Sequence, residues 1–134
     1  MKTEMCETAL RFRQVHPSWV QDGEVTSQLF LPTPKDSNQL SVALSEITSA
    51  EISFQTHVEL KGCKSDGVMG VTQEEVKSQA LEVVAQPLES PVPDPAHAYI
   101  DFGAVGSKGQ IKRISKTLKH LAEIRGWLWR RPQT

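Results

Sequence analysis

Residues 107–126 read SKGQIKRISKTLKHLAEIRG, and this stretch sets the architecture. Ile111, Ile114, Leu118, Leu121 and Ala122 recur at helical spacing, which gathers them on one face. Ser107 and Gln110 have the separation of a capping box, in which the hydroxyl takes an orphan amide and the amide side chain reaches back. Gly126 stands where a helix commonly ends on a glycine. The spacing predicts a helix over Lys108–Arg125. Its single apolar stripe calls for a sheet to cover it.

The upstream chain supplies that sheet. His97 to Phe102 reads as a strand leading through Gly103–Gly106 into the helix, and Trp127-Leu128-Trp129 either adds a closing strand or pins the helix end to the core. Leu10 to His16 alternates apolar and polar side chains until Pro17, which has no amide to give a ladder. A second strand is expected over Val25–Leu31 and a third over Leu40–Leu44, with a short buried one at Val68–Val71 and another at Leu81–Ala85. Thr48-Ser49-Ala50-Glu51 has capping-box spacing and predicts a helix from about Ser49 to Leu60. Thr72-Gln73-Glu74-Glu75 repeats that spacing and predicts a short helix ending near Ala80. Pro87, Pro91, Pro93 and Pro95 leave residues 86–96 as an exposed, extended loop. The expected whole is one α+β domain over residues 1–134, with a mixed or antiparallel sheet of five or six strands, two short helices and the long C-terminal helix.

Composition fits a folded domain: 38% of the 134 residues are apolar and 23% are charged. No run approaches the length of a membrane span, and Met1-Lys2-Thr3-Glu4-Met5-Cys6 leads into no apolar signal segment, so a cytoplasmic protein is expected. Cys6 and Cys63 are too few for a disulfide scaffold and read as reduced thiols. The net charge of −1 conceals a split. From Asp101 onward eight basic residues face two acidic ones, whereas the first hundred residues carry seven basic and fourteen acidic groups. Such asymmetry points to an electrostatic partner or to an acidic face of the same domain.

The basic residues Lys108, Lys112, Arg113, Lys116 and Lys119 form a stripe on the predicted helix suited to an acidic protein or a nucleic acid. The competing explanation is a solvated face, with cations drawn to the C-terminal half by the helix dipole. His16, His57, His97 and His120 show no metal-ligand spacing and neither cysteine lies in a CxxC, so no metal is expected. No G-x-S-x-G, P-loop or G-x-G-x-x-G is present, so no catalytic residue or cofactor is assigned from motifs.

Two resemblances add to this. Arg13, Thr26-Ser27 and Gln73-x-Glu75 follow the order arginine, serine, glutamate, which is similar to ADP-ribosyltransferases and would imply nicotinamide-cofactor binding. Gln73 and Glu75, however, fall on a predicted helix start, where that family presents its glutamate at a strand entrance. Phe12-Arg13-Gln14-Val15-His16-Pro17, Ser27-Gln28-x-Phe30-x-Pro32-Thr33-Pro34-Lys35-Asp36, Leu40-Ser41-Val42 and Ala96-His97-Ala98-x-Ile100 resemble blocks of a group of small bacterial proteins without an assigned activity. That likeness implies a bacterial, cytosolic protein. It also marks His16, Ser27, Lys35, Asp36, Ser41 and His97 as polar side chains at strand ends and loops, where binding sites are built. The expected function is a non-catalytic binding module, the small subunit or immunity-like partner of a bacterial complex. The alternative is a small enzyme acting on a nucleotide or nucleic acid, with His16, Ser27, Lys35 and Asp36 around a pocket.

Overall fold

The computed structural model describes residues 6–132, so the reading of Met1–Met5 lies outside the described residues. Six strands form one antiparallel sheet: β1 (Leu10–Gln14), β4 (Gln39–Leu44), β5 (Gly67–Thr72), β6 (Glu82–Ala85), β7 (His97–Asp101) and β8 (Trp129–Arg130), in the order β6-β7-β4-β1-β5-β8. β2 (Val20–Gln21) and β3 (Glu24–Val25) make a separate two-stranded ribbon. Three α-helices complete the domain: α1 (Ala50–Gln55), α2 (Gln73–Ser78) and α3 (Lys108–Arg125).

The sheet is covered on both faces. Leu40, Val42 and Leu44 of β4, Ala98 and Ile100 of β7, and Met69 and Val71 of β5 point to one side, where Leu118 and Ala122 of α3 complete the main core. Phe12 and Val68 point to the other, where Phe54 of α1 covers them. α3 has the bounds its spacing predicts. Ser107 accepts from the Gln110 amide at 3.2 Å, and Gly126 ends the helix at φ +86°. Buried Ser115 fits the apolar face because its hydroxyl lies 2.8 Å from the carbonyls of both Phe30 and Ile111.

Three local expectations change. The strand expected over Val25–Leu31 is a ribbon edge at Glu24–Val25 followed by a 3-10 turn at Ser27–Phe30. Leu29 and Phe30 are adjacent and both fully buried, which one strand face cannot achieve but a tight turn can. The helix expected from Ser49 is α-helical only to Gln55 and continues as a π-helical turn over Thr56–Leu60. Its cap is Ser49, which accepts from Ile52 N at 3.2 Å, one residue later than the Thr48–Glu51 spacing indicated. Finally, the polar residues of β1 are not on a wet face. Arg11 is fully buried, because α3 and its neighbours cover the side to which it points. Its Nη2 donates to Glu46 Oε2 at 2.9 Å, and its Nε to Gln73 Oε1 at the same distance. The Thr72–Glu75 capping box is present in both directions.

Candidate functional site

The structure offers two sites, one on the outer surface of α3 and one where β1 and β4 part. The first is the basic stripe of α3. At about 100° per residue, Lys108, Lys112 and Lys116 share an arc of about 80°, with Arg113 about 60° beyond it. All four are exposed, and none has an ion-pair partner among the described residues. Lys119 differs, since it pairs with Glu123 at 2.8 Å. The dipole does not account for this pattern. Lys108 occupies the first position of the helix, no acidic residue stands in the first turn, and only Arg125 lies in the last. Arg125 is itself engaged: Nη1 donates to Gly70 O and Nη2 to Glu75 Oε2, each at 3.0 Å. The four unpaired cations therefore stand on the N-terminal half of the helix, with Lys108 in the first turn, where the dipole opposes it. Ile124, 72% exposed, lies three turns below Arg113 on the same side.

The second site arises where β1 and β4 part. Their pairing holds at Arg11↔Leu44 and Phe12↔Ala43, the only registered pairs between these strands. Beyond them Arg13 fills the split. Its Nε donates to Leu29 O at 2.8 Å and its Nη1 to Ser41 O at 3.0 Å, while its guanidinium carbon lies 5.0 Å from the centre of the Trp19 ring. Burial pulls the Arg13 pKa down to about 10, which leaves it a cation at neutral pH. No carboxylate pairs with it among the described residues, and Nη2 has no partner there.

A cleft of about 90 Å³ opens beside Arg13, between the sheet, the π-helical turn and the proline-rich loop. Lys61 and Asp94, both in its lining, pair at 2.7 Å, and the loop that carries Asp94 is closed by the Leu88↔Asp94 bridge. His97 orients within it. Nδ1 lies 2.9 Å from Gln86 O and must donate to that carbonyl, which leaves Nε2 to accept from Ser41 Oγ at 3.3 Å. His57, carried by the π-helical turn, has a lowered pKa because burial disfavours its charged form and Lys61 repels a second charge. A wider cleft of about 440 Å³ adjoins the first, sharing Arg13, Gln14 and His57 and adding His16, Trp19, Cys63 and Lys64.

Of the polar side chains singled out in the sequence, the structure brings His16, Ser41 and His97 to these clefts. Ser27 opens the 3-10 turn behind Arg13, and Lys35 is exposed in the turn Pro34–Asp36, so neither joins the lining; the Asp36 side chain lies outside what is described. His16 Nδ1 accepts from Ser18 N at 3.1 Å and so caps the turn at Pro17–Trp19. Gln73 and Glu75 stand at the start of α2, occupied by Arg11 and by the cap and Arg125 respectively. Sequence reasoning missed Arg13, His57, Lys61 and Asp94 as a group, because they come from a strand, a helix end and a loop far apart in the chain. Among the described residues no His, Cys, Asp and Glu gather to hold a metal ion, both cysteines are free and exposed, and no helix is long and apolar enough to cross a membrane. No family model, curated protein or solved structure matches this chain.

Proposed function

We propose that this chain is a non-catalytic binding module, the small subunit or immunity-like partner of a bacterial cytoplasmic complex, and that it seats an acidic protein surface on the N-terminal half of α3. One observation carries the reading: Lys108, Lys112, Arg113 and Lys116 are exposed and unpaired along the N-terminal half of the helix, with Lys108 in the first turn, where the dipole disfavours a cation. Fold stability does not explain cations there, whereas an approaching anion gains from them and from the dipole together. Ile124, exposed about three turns further along the same side of the helix, favours protein over nucleic acid, because an exposed apolar side chain adds to a protein interface.

The test is affinity capture from the host, with bound protein and nucleic acid both identified, followed by reconstitution with the purified partner across a salt series. The expected result is a stoichiometric acidic protein that binds wild type and not the Lys112→Glu, Arg113→Glu, Lys116→Glu variant. Nucleic acid with a steep salt dependence, or a partner retained by that variant, overturns it.

A second reading, an enzyme, draws on the Ser41–His97 contact, in which the imidazole is oriented by Gln86 O and placed to take the hydroxyl proton. Ester hydrolysis lost in both Ser41→Ala and His97→Gln at unchanged melting temperature would establish it. Turnover equal to wild type in both would remove it.

A further inference from the structure

The clefts around Arg13 share no lining residue with the basic stripe of α3 and are independent of it. The geometry points to a binding site for a dianionic phosphomonoester with a planar body, the mononucleotide class, with the phosphate at Arg13 and the body in the wider cleft beside Trp19.

Charge comes first. Three cations line the two clefts, Arg13, Lys61 and Lys64, against the single carboxylate of Asp94. The excess of two positive charges matches a phosphomonoester at neutral pH better than it matches a carboxylate. Arg13 is the centre because it is shared by both clefts and is held rigid by Leu29 O and Ser41 O, while Nη2 has no protein partner. A guanidinium held at Nε and Nη1, with Nη2 left over, suits a tetrahedral oxyanion. The hydroxyls of Ser53 and Thr56 line the same cleft as additional donors, and Gln14 Nε2 donates to Ser53 Oγ at 3.0 Å, leaving the Ser53 proton free to turn toward a ligand.

Size and shape come second. The inner cleft, at about 90 Å³, accommodates a phosphate and little else. The adjoining cleft, at about 440 Å³, is in the range of small-molecule sites, and Trp19, His16 and His57 give it planar walls. Trp19 and His16 support one another, with ring centres 5.8 Å apart. The π-helical turn bearing Thr56 and His57 belongs to the same picture, since such turns occur often at functional sites.

The experiment is a two-dimensional NMR titration of the full chain with adenosine 5′-monophosphate, adenosine and inorganic phosphate. The nucleotide should give saturable shifts at the Trp19 indole and the Ser53–His57 amides, with adenosine and phosphate each binding at least about tenfold more weakly. Arg13→Lys keeps the charge but loses the fork and should weaken the nucleotide by about tenfold or more. Should that variant not fold, Lys64→Glu, an exposed rim change, should weaken it by at least about threefold. The Lys112→Glu, Arg113→Glu, Lys116→Glu variant should bind it as wild type does, which separates this site from the proposed partner surface. Equal affinity for adenosine or for bare phosphate, shifts confined to α3, or no saturation by about 10 mM would each overturn the proposal.

Discussion

Lys108→Glu should stabilise the fold while weakening its proposed partner. Lys108 is the first residue of α3, so its charge opposes the dipole, and reversing it converts an unfavourable end interaction into a favourable one of about 0.3–1 kcal/mol. The same change removes the like-charge pair Lys108–Lys112 at i,i+4 and replaces it with Glu preceding Lys, the better orientation, for about 0.2–0.5 kcal/mol on each count. Together these give about 1 kcal/mol. For a chain of this length that is a rise of about 3–5 °C in melting temperature. The assay is calorimetric or urea unfolding at low salt and again at about 1 M, where a Debye length near 3 Å removes most of the gain. A fall in stability, or a gain that salt does not touch, would refute the argument, because the native Lys108 would then be making a contact beyond its charge. A gain in stability joined to loss of the captured partner is what a binding surface maintained against the interests of the fold should show.

Other outcomes follow from the interior. Arg11→Met should cost about 3 kcal/mol, since it orphans buried Gln73 and removes the partner of Glu46; in that background Glu46→Gln should be nearly silent in urea titrations, and full additivity would contradict the coupling. Gly70→Ala should cost about 1–3 kcal/mol by thermal melting, because an added Cβ would stand 2.9 Å from Arg11 O, a backbone atom that cannot swing away. Glu46 is held below the usual carboxylate range by its bond from Arg11. Glu75 is pushed up by burial but is held lower still by Arg125 and the Thr72 cap. Both therefore stabilise the fold above their unfolded pKa and release that stability as pH falls through their folded values, so acid unfolding should begin below about pH 4.5, and a Glu46→Gln, Glu75→Gln variant should show a flatter acid limb. His57 should titrate below 6.5 by NMR, with burial and then Lys61, Arg13 and His16 opposing its proton, and should move upward when a phosphate dianion fills the cleft.

How much of this was legible depended on the range over which each residue acts. α3 announces itself because its cap, its stripe and its terminal glycine all lie within twenty positions, and β4 because Leu40, Val42 and Leu44 alternate without interruption. β1 was legible as a strand and not as an interior one. Its arginines look like a wet face until the sheet is known to be covered on both sides, and the partners that make burial tolerable for Arg11 lie 35 and 62 residues away. The turn at Ser27–Phe30 was misread for a related reason: Leu29 and Phe30 have strand-compatible side chains, and only the need to bury neighbours in sequence selects the 3-10 form.

The same reasoning separates the two candidate sites. A stripe on one helix is encoded locally, so Lys108, Lys112, Arg113 and Lys116 could be named from spacing; the structure added that Lys119 is paired and that the other four have no ion-pair partner among the described residues. The cleft is encoded in a failure of pairing. Wherever β1 and β4 continued in register, Gln14 would stand opposite Ser41 and the carbonyl of Ser41 would be taken by backbone; because the ladder stops at Phe12↔Ala43, that carbonyl accepts from Arg13 instead. An arginine thus replaces a strand's backbone donor, and it does so with its Nη2 group left over. That surplus, facing a cleft whose lining carries more cations than carboxylates, is the feature that a residue-by-residue reading of the chain does not reach.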